Sequence, residues 1–508
     1  MTLVRGRTLR GDVSLEADAV VVGTGAGGSI ALRELARAGV SAIAFEEGGY
    51  HVSPDFDQRE DHMLPMLFQD AGGRATEDLG IRVLGGRGVG GSTIHNTNLC
   101  KRTPEPILDL WAKKYGVEGA SAREMEASFA SIERDLSVST IDAADVNANN
   151  DVLRRGIEAL GWRGGILSHN RVGCTKSGFC ELGCSYNAKQ NALKVVLPQA
   201  EAAGARIYSD VDVRRIVQDR GTVTGLECIA HDGNGKPVAN VRVRARVVVL
   251  AGSAIGSAAL ARRSMVPDPS SMIGRGLRMH PAGVVAGRFD ADIRGDRGIP
   301  QSWECSEHLS FEEGSDRRVW IVPVFAHPVA TAAMLPGFGP AHMSAMRSYR
   351  NLACLTAMVH DETSGEVAVD GDGEPVIRYR MNEPDRAQLA KGLVACARIL
   401  LAAGAREVVM PAIPPVRITS TRELDALDTS FVRPHSIPLS AVHPMGTLRM
   451  GRDPRASAVS STGEHHFVRG LFALDGSLFP TSLGGPPQIS IYAFALHLAR
   501  HAVERARG

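Results

Sequence analysis

The sequence predicts an α/β fold: a Rossmann-like dinucleotide-binding unit joined to an α+β unit that contains an antiparallel sheet. Two observations predict it. Residues 17–46 read as strand, glycine turn, helix, strand and acid in that order. Residues 352–403 read as short strands joined by Asp/Gly turns, followed by a long helix.

The first pattern opens with Ala17 to Val22, short, apolar and Val-rich, as expected of a strand buried on both faces of a parallel sheet. It runs into Gly23-Thr24-Gly25-Ala26-Gly27-Gly28, which matches G-x-G-x-x-G at Gly23, Gly25 and Gly28. Gly23 serves the tight turn, Gly25 lets backbone approach a pyrophosphate, and Gly28 lets the helix pack closely on the strand. An Ala/Leu-rich helix follows to about Ala38, and a second strand spans Ala42 to Glu46. The helix start offers free N–H groups to phosphates, and Glu46 offers a carboxylate to ribose hydroxyls. Arg246 to Leu250, running into Ala251-Gly252, repeats the Val-rich strand and glycine turn.

The second pattern has strands at Leu352 to His360, Glu366 to Val369 and Val376 to Arg380, an antiparallel meander with a turn at Asp370-Gly371-Asp372-Gly373. Pro384 to Ala403 reads as a helix opened near Asn382 and closed by Gly404. Residues 54–80, with Met63, Met66 and Phe68 among charges, read as a long loop, either a lid or an ordinary surface connection. After Pro486-Pro487 a helix begins near Gln488 and runs to about Ala502.

At 508 residues the chain is long enough for one large or two coupled domains. Its 57 basic and 56 acidic residues make no electrostatic case for nucleic acid or an anionic membrane. No charged-then-apolar leader and no long apolar run appear, so a cytoplasmic protein without a membrane span is expected.

Four segments together resemble the glucose-methanol-choline (GMC) oxidoreductases. They are the glycine unit with Glu46; Gly85 to Asn96, which includes Gly90, Gly91, Ser92, His95 and Asn96; Ala251 to Ser257; and His443-Pro444-Met445-Gly446-Thr447 with Asp475-Gly476-Ser477. The resemblance implies FAD bound in extended form, with the second segment near the isoalloxazine ring and Asp475 at the ribityl–phosphate region. It also implies a discontinuous FAD-binding domain over residues 1–105, 170–290 and 440–508, and a substrate domain over 106–169 and 291–439. In pyranose oxidases a histidine in an arrangement similar to that of His95 is joined covalently to the flavin, so His95 is a candidate for the same linkage; the alternative is a hydrogen-bonded or space-filling histidine.

Cys100, Cys228, Cys305, Cys354 and Cys396 are scattered among apolar neighbours, as core thiols are. Cys174, Cys180 and Cys184 instead follow C-x5-C-x3-C. Against the ferredoxin run, Ser177 stands in the second cysteine's place, which leaves three thiolates and suits a three-iron cluster. The spacing also resembles that of FAD glucose dehydrogenases of this family that carry a [3Fe-4S] cluster. Two other readings stand beside it: a zinc site completed by His169, and reduced structural thiols.

The chemistry the family resemblance implies is hydride transfer from a CH–OH group to flavin N5. His443 is the candidate base, since imidazole takes a proton near neutral pH. The family usually has Asn or His where this chain has Pro486, whose side chain neither donates nor accepts. Either Gln488 reaches the substrate oxygen, or His443 works alone, or the protein is a non-redox or structural flavoprotein related to the family's lyases. The stretch from Tyr379 to Val408 resembles long-chain alcohol oxidases, favouring a small-molecule apolar alcohol, with oxygen, a quinone or a redox carrier as electron acceptor.

Overall fold

The computed structural model describes residues 3–324 and 326–508. Six parallel strands form one sheet in the order Leu3–Arg5, Arg206–Ser209, Ala42–Phe45, Ala19–Val22, Val247–Leu250 and Leu471–Ala473. The chain returns to this sheet from distant points along its length. Val20, Val21, Ile43, Ala44, Val248 and Val249 are fully buried, which explains why these strands read as apolar runs rather than alternating ones. The helices Ala26–Arg37 and Gln488–Arg507 pack on each other. A hairpin of Val211–Asp219 and Thr222–His231 extends into Pro237–Arg244 and Gly11–Glu16 as a separate four-stranded sheet.

A second core surrounds a larger, mostly antiparallel sheet. Its main path is Val416–Ile418, Glu407–Met410, Ala282–Arg288, Leu352–Val359, Val319–Pro323, Trp303–Cys305 and Gly164–Ile166. The helix Glu383–Ala402 covers it, with Asn382 accepting from the Asp385 N–H at its start. Ser440–Ala441 joins the edge, pairing with Ala282 and with Arg82–Val83.

Three expectations are corrected. Gly365–Val369 and Pro375–Arg378 do not continue a meander from Leu352–Val359; Gly365–Val369 pairs with Arg275–Leu277 on one side and Pro375–Arg378 on the other, in a separate sheet. The break lies at Asp361–Thr363, where side chains capture the backbone: Asp361 accepts from Met279 N and His280 N, and Asp385 from Glu362 N and Thr363 N. Within residues 54–80 lies a helix, Glu60–Leu67, whose Pro65 hid it from a propensity reading. The unit boundaries also shift. Ala282–Arg288 belongs to the antiparallel sheet, whereas Ala122–Asp135 packs on Gln488–Arg507 beside the parallel one.

The glycine turn leaves no room for side chains. A Cβ on Gly27 would lie 1.7 Å from Leu474 O, and one on Gly28 would lie 2.0 Å from Gly23 O. Both contacts are to backbone immediately past strand ends, which cannot swing aside as a side chain could. Gly27→Ala is therefore expected to cost about 3 kcal/mol or more. Chemical denaturation reads this directly, and a midpoint equal to the parent's would refute the close-approach account.

Candidate active site

One large cavity, of about 530 Å³, lies where the two units meet. Gly23, Gly25, Glu46, Ala251, Asp475 and Gly476 line one part of it. Gly91, Ser92, His95 and Asn96 line another, and His443 and Gln488 face the same space. Gly28 and Gly90 stand behind the wall: Gly28 packs under Gly23, and Gly90 N donates to Thr24 Oγ1 at 3.0 Å. All these predicted positions thus converge on one cavity or its supports, although they span most of the chain.

Glu46 holds the nucleotide end together. Its carboxylate accepts from Thr24 N (3.2 Å), Thr24 Oγ1 (2.8 Å), Gly48 N (3.2 Å) and Gly88 N (3.1 Å). Burial, with help from neighbouring Glu47, raises its pKa to about 7 despite those donors. Asp475 accepts from Ser257 Oγ at 2.6 Å and Ser477 N at 2.8 Å, and burial raises its pKa also. Thr24 escaped the sequence reading because it occupies an x of the glycine motif.

His443 lies one residue beyond the strand Ser440–Ala441, and Met445 exchanges two backbone hydrogen bonds of 2.9 Å with Arg278. The short link is thereby clamped on both sides of the histidine. Burial, and then His280, hold the His443 pKa well below its usual value, so the ring is neutral. His280 Nε2 accepts from Gly484 N at 2.9 Å, and its ring meets that of His443 edge-on, centroids 5.6 Å apart. His280, followed by a proline as His443 is, carried a legible signal that was missed.

His95 is buried, tilted against Phe68 with centroids 3.9 Å apart, and its Nε2 has no partner among the described residues. Burial, reinforced by the Lys189 cation, lowers its pKa to about 3. Lys189 itself is an unanticipated support. Its buried ammonium donates to Ile94 O (2.8 Å), Asn96 O (2.5 Å) and Cys180 O (2.9 Å), tying the His95 loop to the cysteine segment.

Two expectations change here. Gln488 does not reach toward a substrate: its Oε1 accepts from Asn96 Nδ2 at 2.8 Å, and its Nε2 donates to Leu99 O at 2.7 Å. Helix geometry points the side chain back along the preceding loop, so it braces Asn96 instead. The metal readings find no support either. Among the described residues no group of three or more His, Cys, Asp or Glu side chains is arranged to hold a metal ion. Cys174, Cys180 and Cys184 line a separate cavity of only about 20 Å³. Burial pushes the Cys180 thiol up to about 12, and His169 Nε2 is bonded to Gln301 O at 3.1 Å.

Two segments match family models described as GMC oxidoreductase, residues 64–282 with the N-terminal model and 361–495 with the C-terminal one. The chain belongs to the GMC oxidoreductase family. An uncharacterized GMC-type oxidoreductase of Mycobacterium tuberculosis is 34% identical over 501 residues, covering 97% of this chain and 76% of that one. Long-chain-alcohol oxidase FAO4B of Arabidopsis thaliana is 28% identical over 516 residues, covering 96% and 68%. Pyridoxine 4-oxidase from Mesorbium loti superposes with a TM-score of 0.73 at 20% identity, covering 95% of this chain and 98% of that one. Formate oxidase of Aspergillus oryzae gives 0.68 at 12% identity, covering 97% and 99%. These structures share the GMC fold. Among the described residues no helix is long and apolar enough to cross a membrane.

Removing the Lys189 ammonium leaves three carbonyls without their donor. Lys189→Met should lower stability by roughly 2–4 kcal/mol, on the scale of about 1–3 kcal/mol for each unpaired buried group after partial relaxation. It should also quicken hydrogen exchange in residues 94–98. Exchange there at the parental rate would show that the lysine does not hold the loop.

Proposed function

We propose that this GMC oxidoreductase is an FAD-dependent enzyme that oxidises the CH–OH group of a largely apolar alcohol, with His443 as the base. The observation that carries this is a neutral, partly buried imidazole facing the same cavity as the glycine cradle. The residues fit FAD. A Cβ on Gly25 would meet nothing nearer than Gly91 Cα at 3.8 Å, so backbone lies open toward a pyrophosphate, and Glu46 faces the cavity at the end of its strand. When bound, FAD supplies the hydride acceptor.

The chain's own residues supply the rest. His443 takes the hydroxyl proton, and desolvation favours the neutral ring that can accept it. The helix Gln488–Arg507 begins at the cavity with no side chain capping it. Its N-terminal dipole favours negative charge developing there. Leu99, Val284, Trp320, Val324 and Met358 form an apolar wall that excludes water and suits an alkyl chain. The long-chain-alcohol oxidases among the relatives support that substrate class. A neutral His95 with an unpartnered Nε2 supports covalent attachment of the flavin at that atom.

His443→Ala should slow anaerobic flavin reduction by an alcohol by about a hundredfold or more, the scale of a lost general base, while FAD stays bound. Because the His443 pKa is depressed, the parent's rate should hold through pH 6 and fall only at lower pH, as the imidazole finally protonates. Unchanged reduction kinetics in the variant would remove the base assignment. Acid precipitation tests the linkage separately: yellow pellets from the parent and colourless ones from His95→Ala are expected, and free FAD released from the parent would reject it.

A further inference from the structure

The substrate oxygen needs a second polar contact, and Pro486 cannot provide one. Four side-chain carboxamides line the cavity: Gln69, Asn96, Gln301 and Gln488. Three are committed to the protein. The Gln69 amide donates to Glu47 and accepts from Arg74, and Asn96 and Gln488 are bonded to each other. Asn96 Oδ1 is further occupied by Asn98 N, and Gln488 Nε2 by Leu99 O.

Gln301 differs. Its Oε1 accepts from Thr97 Oγ1, which fixes the plane of the amide, while its Nε2 has no protein partner among the described residues. Its backbone is held in the left-handed region at φ 47°, a conformation costly for a residue with a side chain. That conformation is anchored rather than incidental. Gln301 O accepts from the buried His169, and the following Ser302 and Trp303 N–H groups both donate to Asn150 Oδ1. Leu99, Trp320, Ala282 and Met358 belong to one apolar cluster, and Ala282 pairs with Ser440 in the short strand before His443.

We infer that Gln301 is the substrate-orienting residue of this site, its Nε2–H donating to the reacting oxygen while His443 removes the hydroxyl proton. This rests on the alcohol-oxidising reading above. No proton leaves the amide. It holds the oxygen as negative charge builds there, and Thr97 keeps the donor pointed inward. Such a contact replaces the one that Pro486 cannot make, from another residue lining the same cavity.

Two measurements on the FAD-loaded protein test it. Octanoate, titrated and followed by flavin absorbance, reads the contact without turnover. Gln301→Met should bind it at least about tenfold more weakly than the parent, and Thr97→Val should weaken it by a smaller factor. Equal affinity, or no spectral change in the parent, overturns the inference. Gln301→Glu keeps the acceptor for Thr97 but loses the donor, so anaerobic reduction by 1-octanol should fall about 10- to 100-fold near pH 8. The loss should shrink as the pH falls toward about 4 to 5, where the introduced carboxyl begins to protonate and can donate again. A loss independent of pH would mark a merely structural role and overturn the inference. A parent whose flavin no alcohol reduces would instead end the alcohol reading, and the octanoate comparison would still decide for or against Gln301.

Discussion

Four donors converge on the carboxylate of Glu46, and the three loops they come from are those that shape the nucleotide end of the cavity. Residues 23–28 turn from strand to helix, 46–48 leave the second strand, and 86–91 cross between them. Thr24 doubles the connection, since its Oγ1 donates to Glu46 and accepts from Gly90 N. A carboxylate left unpaired in this setting would be prohibitively costly to bury. Pairing it with backbone N–H groups makes each loop position depend on the others, so the cradle forms as a unit or not at all.

The same economy of polar groups governs the reacting end. The imidazoles of His95 and His280 are buried and that of His443 is partly buried, and desolvation keeps all three neutral. A neutral His443 can receive a proton; a neutral His95 keeps a lone pair available. Lys189 is the buried cation close by, and its charge is dispersed over three carbonyl oxygens. Its position beneath the loop discourages a second positive charge on His95, which links the shape of the loop to the protonation of the ring it carries.

Gln488 and Gln301 are committed differently. Both are glutamines at the cavity wall. Gln488 begins a helix and turns its amide to Asn96 and Leu99; Gln301 sits in a strained turn with its oxygen held and its nitrogen free. The residue type says nothing about which amide is available. The hydrogen-bond inventory around each one does.

The parallel sheet, its glycine turn and the helix after it were legible because each depends on local pattern: apolar runs, glycines where backbone must approach backbone, and an acid at a strand end. His443, Glu46, Asp475 and the glycine-rich loop were legible for the same reason, being embedded in short motifs. Tertiary structure decided what local pattern cannot carry. The strand Gly365–Val369 left the neighbouring strand's sheet because the buried carboxylates of Asp361 and Asp385 bind the backbone of the connection and of Met279 and His280, contacts absent from any one window of sequence. Gln488 became a brace because its partners lie about four hundred residues away along the chain, at a separation of 392 for Asn96. The spacing of Cys174, Cys180 and Cys184 suggested ligands, but spacing along a chain does not set where thiols point or how dry their surroundings are. Local sequence determined which groups the site owns; long-range packing decided which of them remain free to act.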